Sequence, residues 1–202
     1  MTAHEDIVAA ILKVPLTKGR RIVAIVGPPA SGKSTLAAAL QTQIPGSCVV
    51  PMDGFHLSNA TLEKRGLLAR KGAPETFDVE GFVRLLKTIR SQETLPFPTF
   101  DRAQDRSIPE GGHIDATHHT VLVEGNYLLL DAPRWKALHQ FWDYSILLKV
   151  GLKELERRLV ARWLVHGHDK AAALERARQN DLPNASVMIN LSVAADHIVR
   201  LD

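Results

Sequence analysis

The residues whose types and spacing most directly indicate chemistry form the segment GPPASGKST, from Gly27 to Thr35. This segment matches the pattern G-x-x-x-x-G-K-[ST], and it lies between an apolar run and a predicted helix, as the pattern requires. Backbone N–H groups of such a loop surround nucleotide phosphates, and the following helix adds the positive end of its dipole. The residues predicted to bind the phosphates are Gly27, Pro28, Ala30, Ser31, Gly32, Lys33, Ser34 and Thr35.

Two side chains of this loop have predicted roles of their own. Lys33 is expected to reach the β- and γ-phosphates as a catalytic cation, and the Ser34 hydroxyl is expected to bind Mg²⁺. The loop does not identify what happens to the triphosphate. The guanine-reading pattern N-K-x-D is absent, and 202 residues fit a small-molecule kinase better than a motor or AAA ATPase, which is usually longer.

Two acidic residues each follow a short apolar run and precede a glycine: Asp53 in VVPMDGFH and Glu124 in VLVEG. Open α/β sheets bind their ligands at the carboxyl ends of their strands. Glu124 is predicted to orient Mg²⁺ and its waters, because this cation prefers oxygen ligands. Asp53 is predicted to accept the proton of a substrate hydroxyl while that oxygen attacks the γ-phosphorus. A turn-forming acid is the alternative for either residue.

The elements that must position these residues alternate along the chain. Strands are predicted over 21–26, 48–52, 120–125, 144–150 and 196–201. Helices are predicted over 4–14, 32–43, 57–65, 79–89, 133–140, 152–165 and 170–179. The stretch 95–109 is expected to be extended chain or a hairpin, and NDLPN (180–184) is expected to cap a helix. Buried strands alternating with helices predict an α/β fold, a central parallel sheet with helices on both faces.

Bulk composition narrows the remaining classes. The chain has 202 residues, 45% of them hydrophobic, which predicts one well-filled core and a single domain over 1–202. The net charge of +3 and the lack of a basic stripe with stacking aromatics argue against a nucleic-acid partner. One cysteine, Cys48, excludes an intrachain disulfide. No apolar run approaches the roughly 20 residues of a membrane helix. We expect a cytoplasmic protein, a monomer or a homodimer, without a membrane partner.

The order of GPPASGKST, MDGFH, RKGAPETFD and VLVEGNYLLL resembles the P-loop kinases grouped with uridine kinase, pantothenate kinase and phosphoribulokinase. The resemblance extends from Ile22 to about Leu201. It is closest to bacterial kinases labelled as fructose-transport-system kinases or nucleoside/nucleotide kinase-family proteins. It implies the three-layer P-loop NTPase fold, ATP and Mg²⁺ as cofactors, and phosphoryl transfer to a hydroxyl of a small molecule. In that family the D-[GS]-F-x segment carries the catalytic aspartate, which corresponds to Asp53.

The sequence departs from uridine kinases in the segment that reads the base. Those enzymes carry Y-D-x-x-x-H, whereas this chain has FDRAQD, beginning at Phe100. Asp101 and Arg102 suit a polyhydroxylated or charged acceptor, so a sugar or sugar-like compound is predicted as substrate. A nucleoside or pantothenate-type kinase, and a regulatory P-loop ATPase, are the alternatives. His56 is expected to line the acceptor pocket beside Asp53, or else to pack at a helix start.

A basic segment on the predicted helix 152–165 has the position of a lid. Arg158 and Arg162 are four residues apart and therefore share one helix face. The resemblance implies that both are catalytic, neutralising charge on the transferring phosphoryl group from a short helical lid over about 160–178. Arg157 is the alternative to Arg158, and a solvated face paired with neighbouring glutamates is the alternative to a lid.

Aromatic and histidine residues near the predicted lid receive other interpretations. The three tryptophans, Trp135, Trp142 and Trp163, lie in predicted helical segments and are expected in the core. His166 and His168 could be zinc ligands by type. No cysteine pair or further ligand at metal spacing accompanies them, so no zinc site is predicted.

Overall fold

The computed structural model describes residues 3–201 of the chain, with side chains from Glu5 onward. Within these residues the strands are β1 Arg21–Val26, β2 Ser47–Pro51, β3 Leu95–Asp101, β4 Arg106–Ile114, β5 Thr120–Gly125, β6 Tyr144–Val150 and β7 His197–Leu201. Five of them form one parallel sheet in the order β2-β5-β1-β6-β7. The other two, β3 and β4, form an antiparallel hairpin.

Seven α-helices connect or cover these strands in the described part of the chain. They are α1 Ala3–Lys13, α2 Lys33–Gln43, α3 Asn59–Lys64, α4 Val79–Thr88, α5 Leu152–Val165, α6 Lys170–Arg176 and α7 Leu182–Leu191. Shorter 3₁₀ turns span Met52–Phe55, Leu68–Arg70, Pro74–Thr76 and Trp135–Phe141, and a π-helix spans Ala177–Asp181. Among the helices that the structure describes, none is long and apolar enough to cross a bilayer.

Alternate residues of β1 pack into two separate cores, because successive side chains of a strand point to opposite faces. Ile22 and Ala24 belong to the core that includes α4 and the Trp135–Phe141 turn. Val23 and Ile25 belong to the core formed with α1 and α2. The sheet therefore lies between two helical layers, and the predicted three-layer α/β fold is confirmed.

Strand register brings the functional segments to one edge of the sheet. Glu124 in β5 lies opposite Pro51 of β2 on one side and Ile25 of β1 on the other. The segments that continue from these strands therefore start side by side. Gly125 is required at this edge, since a Cβ there would lie 2.5 Å from the Cβ of Met52.

The predicted elements differ from the observed ones mainly in the second half of the chain. Strands over 21–26, 120–125 and 144–150 are confirmed, and the expected hairpin extends to Ile114. The helix expected over 133–140 is a 3₁₀ helix. The helix expected over 170–179 ends earlier and continues through the π-helix into α7, which the sequence analysis missed. Pro183 is compatible with helix there because it lies in the first turn, where its missing N–H needs no partner.

Candidate active site

A cleft of about 660 Å³ opens at the carboxyl ends of the central strands. Lys33, Asp53 and Asn126, which follow β1, β2 and β5, line its floor. The walls come from the hairpin, the loop before α4, and the segments of α5 to α7. Wall residues include His56, Asn59, Lys71, Phe77, Phe100, Arg102, Asp105, Arg162, Trp163, Arg176, Asp181 and Asn184.

The predicted phosphate loop has the compact backbone that its sequence requires. Gly32 adopts a positive φ of 94°, and Ala30 also has a positive φ, of 62°. Ser31 N donates to Pro28 O over 3.1 Å, and Leu36 N donates to Gly32 O over 2.9 Å at the start of α2. This geometry leaves the first N–H groups of the helix at the cleft, where they can bind an anion.

Ser34 and Glu124 face each other across the loop. Ser34 Oγ donates to Glu124 Oε2 over 3.2 Å. Burial raises the pKa of Glu124, and the positive charge of Lys33 opposes that rise. A hydroxyl beside a carboxylate offers two oxygens, the donor set that Mg²⁺ prefers. Among the residues described, no group of three or more His, Cys, Asp or Glu side chains could hold a metal.

Lys33 interacts with two acids, Glu124 near the end of β5 and Asp53 after β2. Burial lowers the pKa of Lys33, while the charges of Glu124 and Asp53 raise it. The three charged groups therefore act on one another, and two of them, Lys33 and Asp53, line the cleft. An ammonium in this position is available for a phosphate oxygen.

Asp53 lies in the 3₁₀ turn that follows β2. Its Oδ2 accepts a hydrogen bond from Arg102 Nη2 over 2.7 Å. Burial alone would raise the pKa of Asp53, but nearby cations lower it below its ordinary value: His56 when protonated, then Lys33, Arg102 and Arg162. The carboxylate is therefore ionised at neutral pH and can accept a proton.

His56 forms part of the wall beside Asp53. Its Nδ1 lies 2.8 Å from Asp53 O. Since a carbonyl can only accept, Nδ1 carries the hydrogen. The imidazole contacts the rings of Phe77 and Phe100 at centroid distances of 4.1 and 4.8 Å. Burial lowers the pKa of His56, although Asp53 raises it, so a neutral ring keeps its Nε2 lone pair for a hydrogen-bond donor.

Lys71 is a buried cation of the wall that the sequence analysis did not single out. Its Nζ donates to Asn59 Oδ1 over 2.6 Å and to Asp105 O over 2.9 Å, and it pairs with Asp105 Oδ1 at 2.8 Å. These contacts use all three ammonium protons. Nζ also lies 5.1 Å from the ring centroid of Phe100. Lys71 therefore joins the hairpin loop to α3 and shapes the wall.

The predicted lid arginines lie in different places. Arg162 lines the cleft, and its guanidinium lies 5.7 Å from the ring centroid of Trp163. Arg158 Nε instead donates to Glu154 Oε1 over 2.7 Å, and Arg157 pairs with the same glutamate. Of these three arginines, only Arg162 is among the residues lining the cleft.

Asp101 is another predicted site residue outside the cleft lining, as are Ser34 and Glu124. Its Oδ1 accepts hydrogen bonds from the backbone N–H groups of Ala103 and Gln104, at 2.9 and 3.0 Å. The carboxylate thus stabilises the hairpin turn. The neighbouring Arg102 reaches into the cleft.

Trp163 packs, partly buried, against the core cluster that includes Leu155 and Leu159, and it also lines the cleft, which the sequence did not predict. Its Nε1 donates to Asp181 Oδ2 over 2.6 Å. The Arg176 guanidinium lies 4.6 Å from its ring centroid, on the wall with Arg162. Sequence reasoning missed Asp181 and Asn126 as cleft residues. Their signal was weak, since each is an ordinary polar residue next to a segment already assigned to another role.

Comparisons with known proteins identify the family of the chain. No family model matches the chain. The chain is 33% identical to "Uncharacterized protein YggC" of Escherichia coli over 95% of its length and 82% of that protein. It is 30% identical to "Putative uridine kinase C227.14" of Schizosaccharomyces pombe, over 99% of the chain and 91% of that protein.

A solved structure agrees with these relatives. The "putative fructose transport system kinase" of Silicibacter sp. TM1040 superposes with a TM-score of 0.93 at 47% identity, covering 98% of this chain and all of that one. Two of these three proteins are named as kinases, and further relatives are named as an ATP-dependent kinase and a pantothenate kinase. The chain therefore belongs to the P-loop kinases grouped with uridine kinase, pantothenate kinase and phosphoribulokinase, and it is a phosphotransferase with a hydroxyl acceptor.

Proposed function

We propose that this kinase transfers the γ-phosphoryl group of ATP, with Mg²⁺, to a hydroxyl of a sugar or sugar-like metabolite. The observation that carries the proposal is the position of Asp53, an ionised acid beside Lys33 with an arginine of the hairpin bonded to it. A P-loop ATPase that only hydrolyses ATP has no need of a wall built for an acceptor. Here His56 and Arg102 supply such a wall next to the proposed base.

The proposed mechanism assigns each group a step. Asp53 accepts the proton of the acceptor hydroxyl as its oxygen attacks the γ-phosphorus, and the bond between that phosphorus and the β–γ bridging oxygen breaks to release ADP. Lys33 and Arg162 neutralise the charge on the transferring group. Ser34 and Glu124 would hold Mg²⁺, which would supply electrostatic stabilisation of the triphosphate oxygens.

Two structural parts of the proposal concern the whole chain. We propose that residues 1–202 act as a single kinase domain. The segment of about 160–178, from the end of α5 through α6, would be its lid, with Arg162 as the arginine that reaches the phosphoryl group. Arg158 is bonded to Glu154 and is far less exposed than Arg157, and its Nη1 also lies 3.5 Å from Ser31 O of the phosphate loop, which makes it the second candidate.

The experiment that tests this function is an ATP-consumption screen over sugars, sugar phosphates, nucleosides, pantothenate and glycerate. A sugar-like acceptor should raise turnover above the rate in water. Asp53→Asn should abolish that acceleration while ATP binding survives, and the exposed Asp131→Asn serves as matched control. If uridine or pantothenate raised the turnover instead, the acceptor would be a nucleoside or pantothenate and not a sugar-like compound. ATP turnover that no acceptor accelerates would favour the regulatory ATPase.

A further inference from the structure

The arginines and the lysine of the cleft walls differ in how many hydrogen-bond or ion-pair partners they have. Lys71 has all three protons bonded, and Arg102 is paired with Asp53. Arg162 and Arg176 line the same cleft, and among the described residues neither forms an ion pair with a carboxylate. Arg176 also has a buried Nε without a hydrogen-bond partner in the described structure.

These two arginines lie on the same wall, since their guanidiniums are 5.7 and 4.6 Å from the ring centroid of Trp163, but they act on different groups. The charge of Arg162 acts on Lys33 and Asp53, so Arg162 lies where phosphoryl transfer is proposed. Arg176 interacts electrostatically with Arg162 and, like Arg162, with Asp181, but it is not among the main charges that act on Lys33 or Asp53. When Arg162 pairs with the transferring phosphoryl group, Arg176 remains beside it as a cation for another group.

Contacts of the π-helix and α7 place Arg176 on the acceptor side. Asn180 Nδ2 donates to Lys71 O over 3.1 Å, and the side-chain nitrogen of Asn184 lies 4.0 Å from the Cβ position of Gly72. Lys71 in turn covers Phe100, whose ring contacts His56. The wall that begins beside Asp53 is therefore continuous with the helices next to Arg176.

We propose that the acceptor carries an acidic group, a carboxylate or a phosphate monoester, which Arg176 binds at the wall of the cleft that Trp163 forms. This inference rests on the proposed kinase function and specifies its substrate class. A guanidinium presents five donors in a planar fork that matches both groups in bidentate fashion. Stacking on Trp163 holds the fork in place, and Trp163 is itself fixed by its bond to Asp181.

A second buried atom without a hydrogen-bond partner indicates that the acceptor also carries a hydroxyl near this position. Asn126 Oδ1 is buried in the same cleft without a hydrogen-bond partner among the described residues. A carbonyl oxygen in that state requires a donor, and a substrate hydroxyl provides one. An acid-binding arginine and a hydroxyl-binding amide together indicate a small hydroxy acid or a sugar phosphate. Asp181 does not replace the acid, since its Oδ2 is bonded to Trp163 and it forms no ion pair with Arg176.

The test compares acidic compounds with their neutral counterparts: glycerate with glycerol, gluconate with glucose, pantothenate with panthenol, and fructose 6-phosphate with fructose. Turnover is measured with ATP, and binding is measured by calorimetry with a non-hydrolysable ATP analogue. One acidic compound should be bound and phosphorylated in preference to its neutral partner. Arg176→Gln should lower kcat/KM for that acid by about 10- to 100-fold, mostly through KM, because a hydrogen-bonded charge is lost.

Arg178→Gln is the matched control, since Arg178 is two residues away, exposed, and bonded to Glu156. It should leave both values unchanged, and Arg176→Lys should fall between wild type and Arg176→Gln. ATP affinity and Tm establish that the variants fold. Phosphorylation of neutral compounds alone, or an equal loss for both members of a pair, would overturn the acidic group and leave the kinase function intact. Binding of the acidic compounds without their phosphorylation would support the acidic group and contradict the kinase function. The absence of both binding and turnover would contradict both proposals.

Discussion

Arg102 Nη2 lies 2.7 Å from Asp53 Oδ2, so a residue of the β3–β4 hairpin holds the carboxylate that follows β2. Arg102 is half-exposed, whereas the Asp53 side chain is mostly buried. The pair therefore joins a surface loop to the proposed base. The positive charge of Arg102 lowers the pKa of Asp53, because a cation favours the ionised form of the carboxyl.

Loss of Arg102 should move the pH dependence of the reaction. The pKa of Asp53 lies below its ordinary value, although burial opposes this, because cations including Arg102 surround it. Activity that needs ionised Asp53 is lost as pH falls through that pKa. Arg102→Gln should raise the pKa and move the acid limb of kcat/KM to higher pH. Arg106→Gln, an exposed arginine of the same hairpin, is the control. An unmoved limb would contradict the role of the pair.

Substitution at the proposed metal site should change the magnesium requirement more than the nucleotide affinity. Glu124→Gln keeps the shape and the hydrogen bond from Ser34 but removes the charge. The half-saturating Mg²⁺ concentration of the kinase reaction should rise about 10- to 100-fold. Ser34→Thr should restore what Ser34→Ala loses, because it keeps the hydroxyl. An unaltered Mg²⁺ dependence in Glu124→Gln would exclude this carboxylate as a ligand.

Sequence reasoning reached the parts of the fold that local patterns determine. The phosphate loop and the acids after β2 and β5 follow from apolar runs that end in a fixed motif, and their closeness follows from parallel strand order. The far wall does not follow in this way. Trp163 and Asp181 meet only because α5 and the π-helix pack together, and Lys71 finds Asp105 across 34 residues. Such contacts depend on tertiary packing, which the periodicity of apolar residues along the sequence does not predict.

The bond between Trp163 and Asp181 should stabilise the protein in a pH-dependent manner. Burial raises the pKa of Asp181, and the hydrogen bond from Trp163 opposes that rise. Trp163→Phe keeps a ring beside Arg162 and Arg176 but removes the donor. The buried carboxylate then loses a partner, at a cost of about 1–3 kcal/mol at neutral pH.

The sign of the pH effect distinguishes this account from a simple packing loss. Asp181 with a raised pKa favours the folded state when protonated, so its unfavourable contribution appears as pH rises through the folded pKa. The difference in Tm between Trp163→Phe and wild type should therefore shrink as pH falls towards 4. Trp142→Phe, whose Nε1 donates to Leu128 O instead, supplies the control. A difference in Tm that does not vary with pH would indicate lost packing alone.

Arg20 is a buried cation, 7% exposed, that lies away from the cleft lining. It precedes β1 and forms hydrogen bonds with backbone carbonyls brought together from two other parts of the chain. The acceptors are the carbonyl oxygens of Ile89, Gln92, Glu93, Asp115 and His118. The guanidinium of Arg20 thus donates hydrogen bonds both to carbonyl groups that follow α4 and to carbonyl groups in the turn before β5.

Arg20→Met should therefore destabilise the fold by about 3–5 kcal/mol, because it leaves buried carbonyls without donors. Arg20→Lys should recover only part of this, since an ammonium has three protons and cannot reach the same five acceptors. Urea unfolding measures both variants, with the exposed Arg84→Gln as control. Below the unfolding transition, ATP affinity and KM should equal those of wild type. A fall in activity without a fall in stability would mean that Arg20 acts on the cleft, contrary to its position.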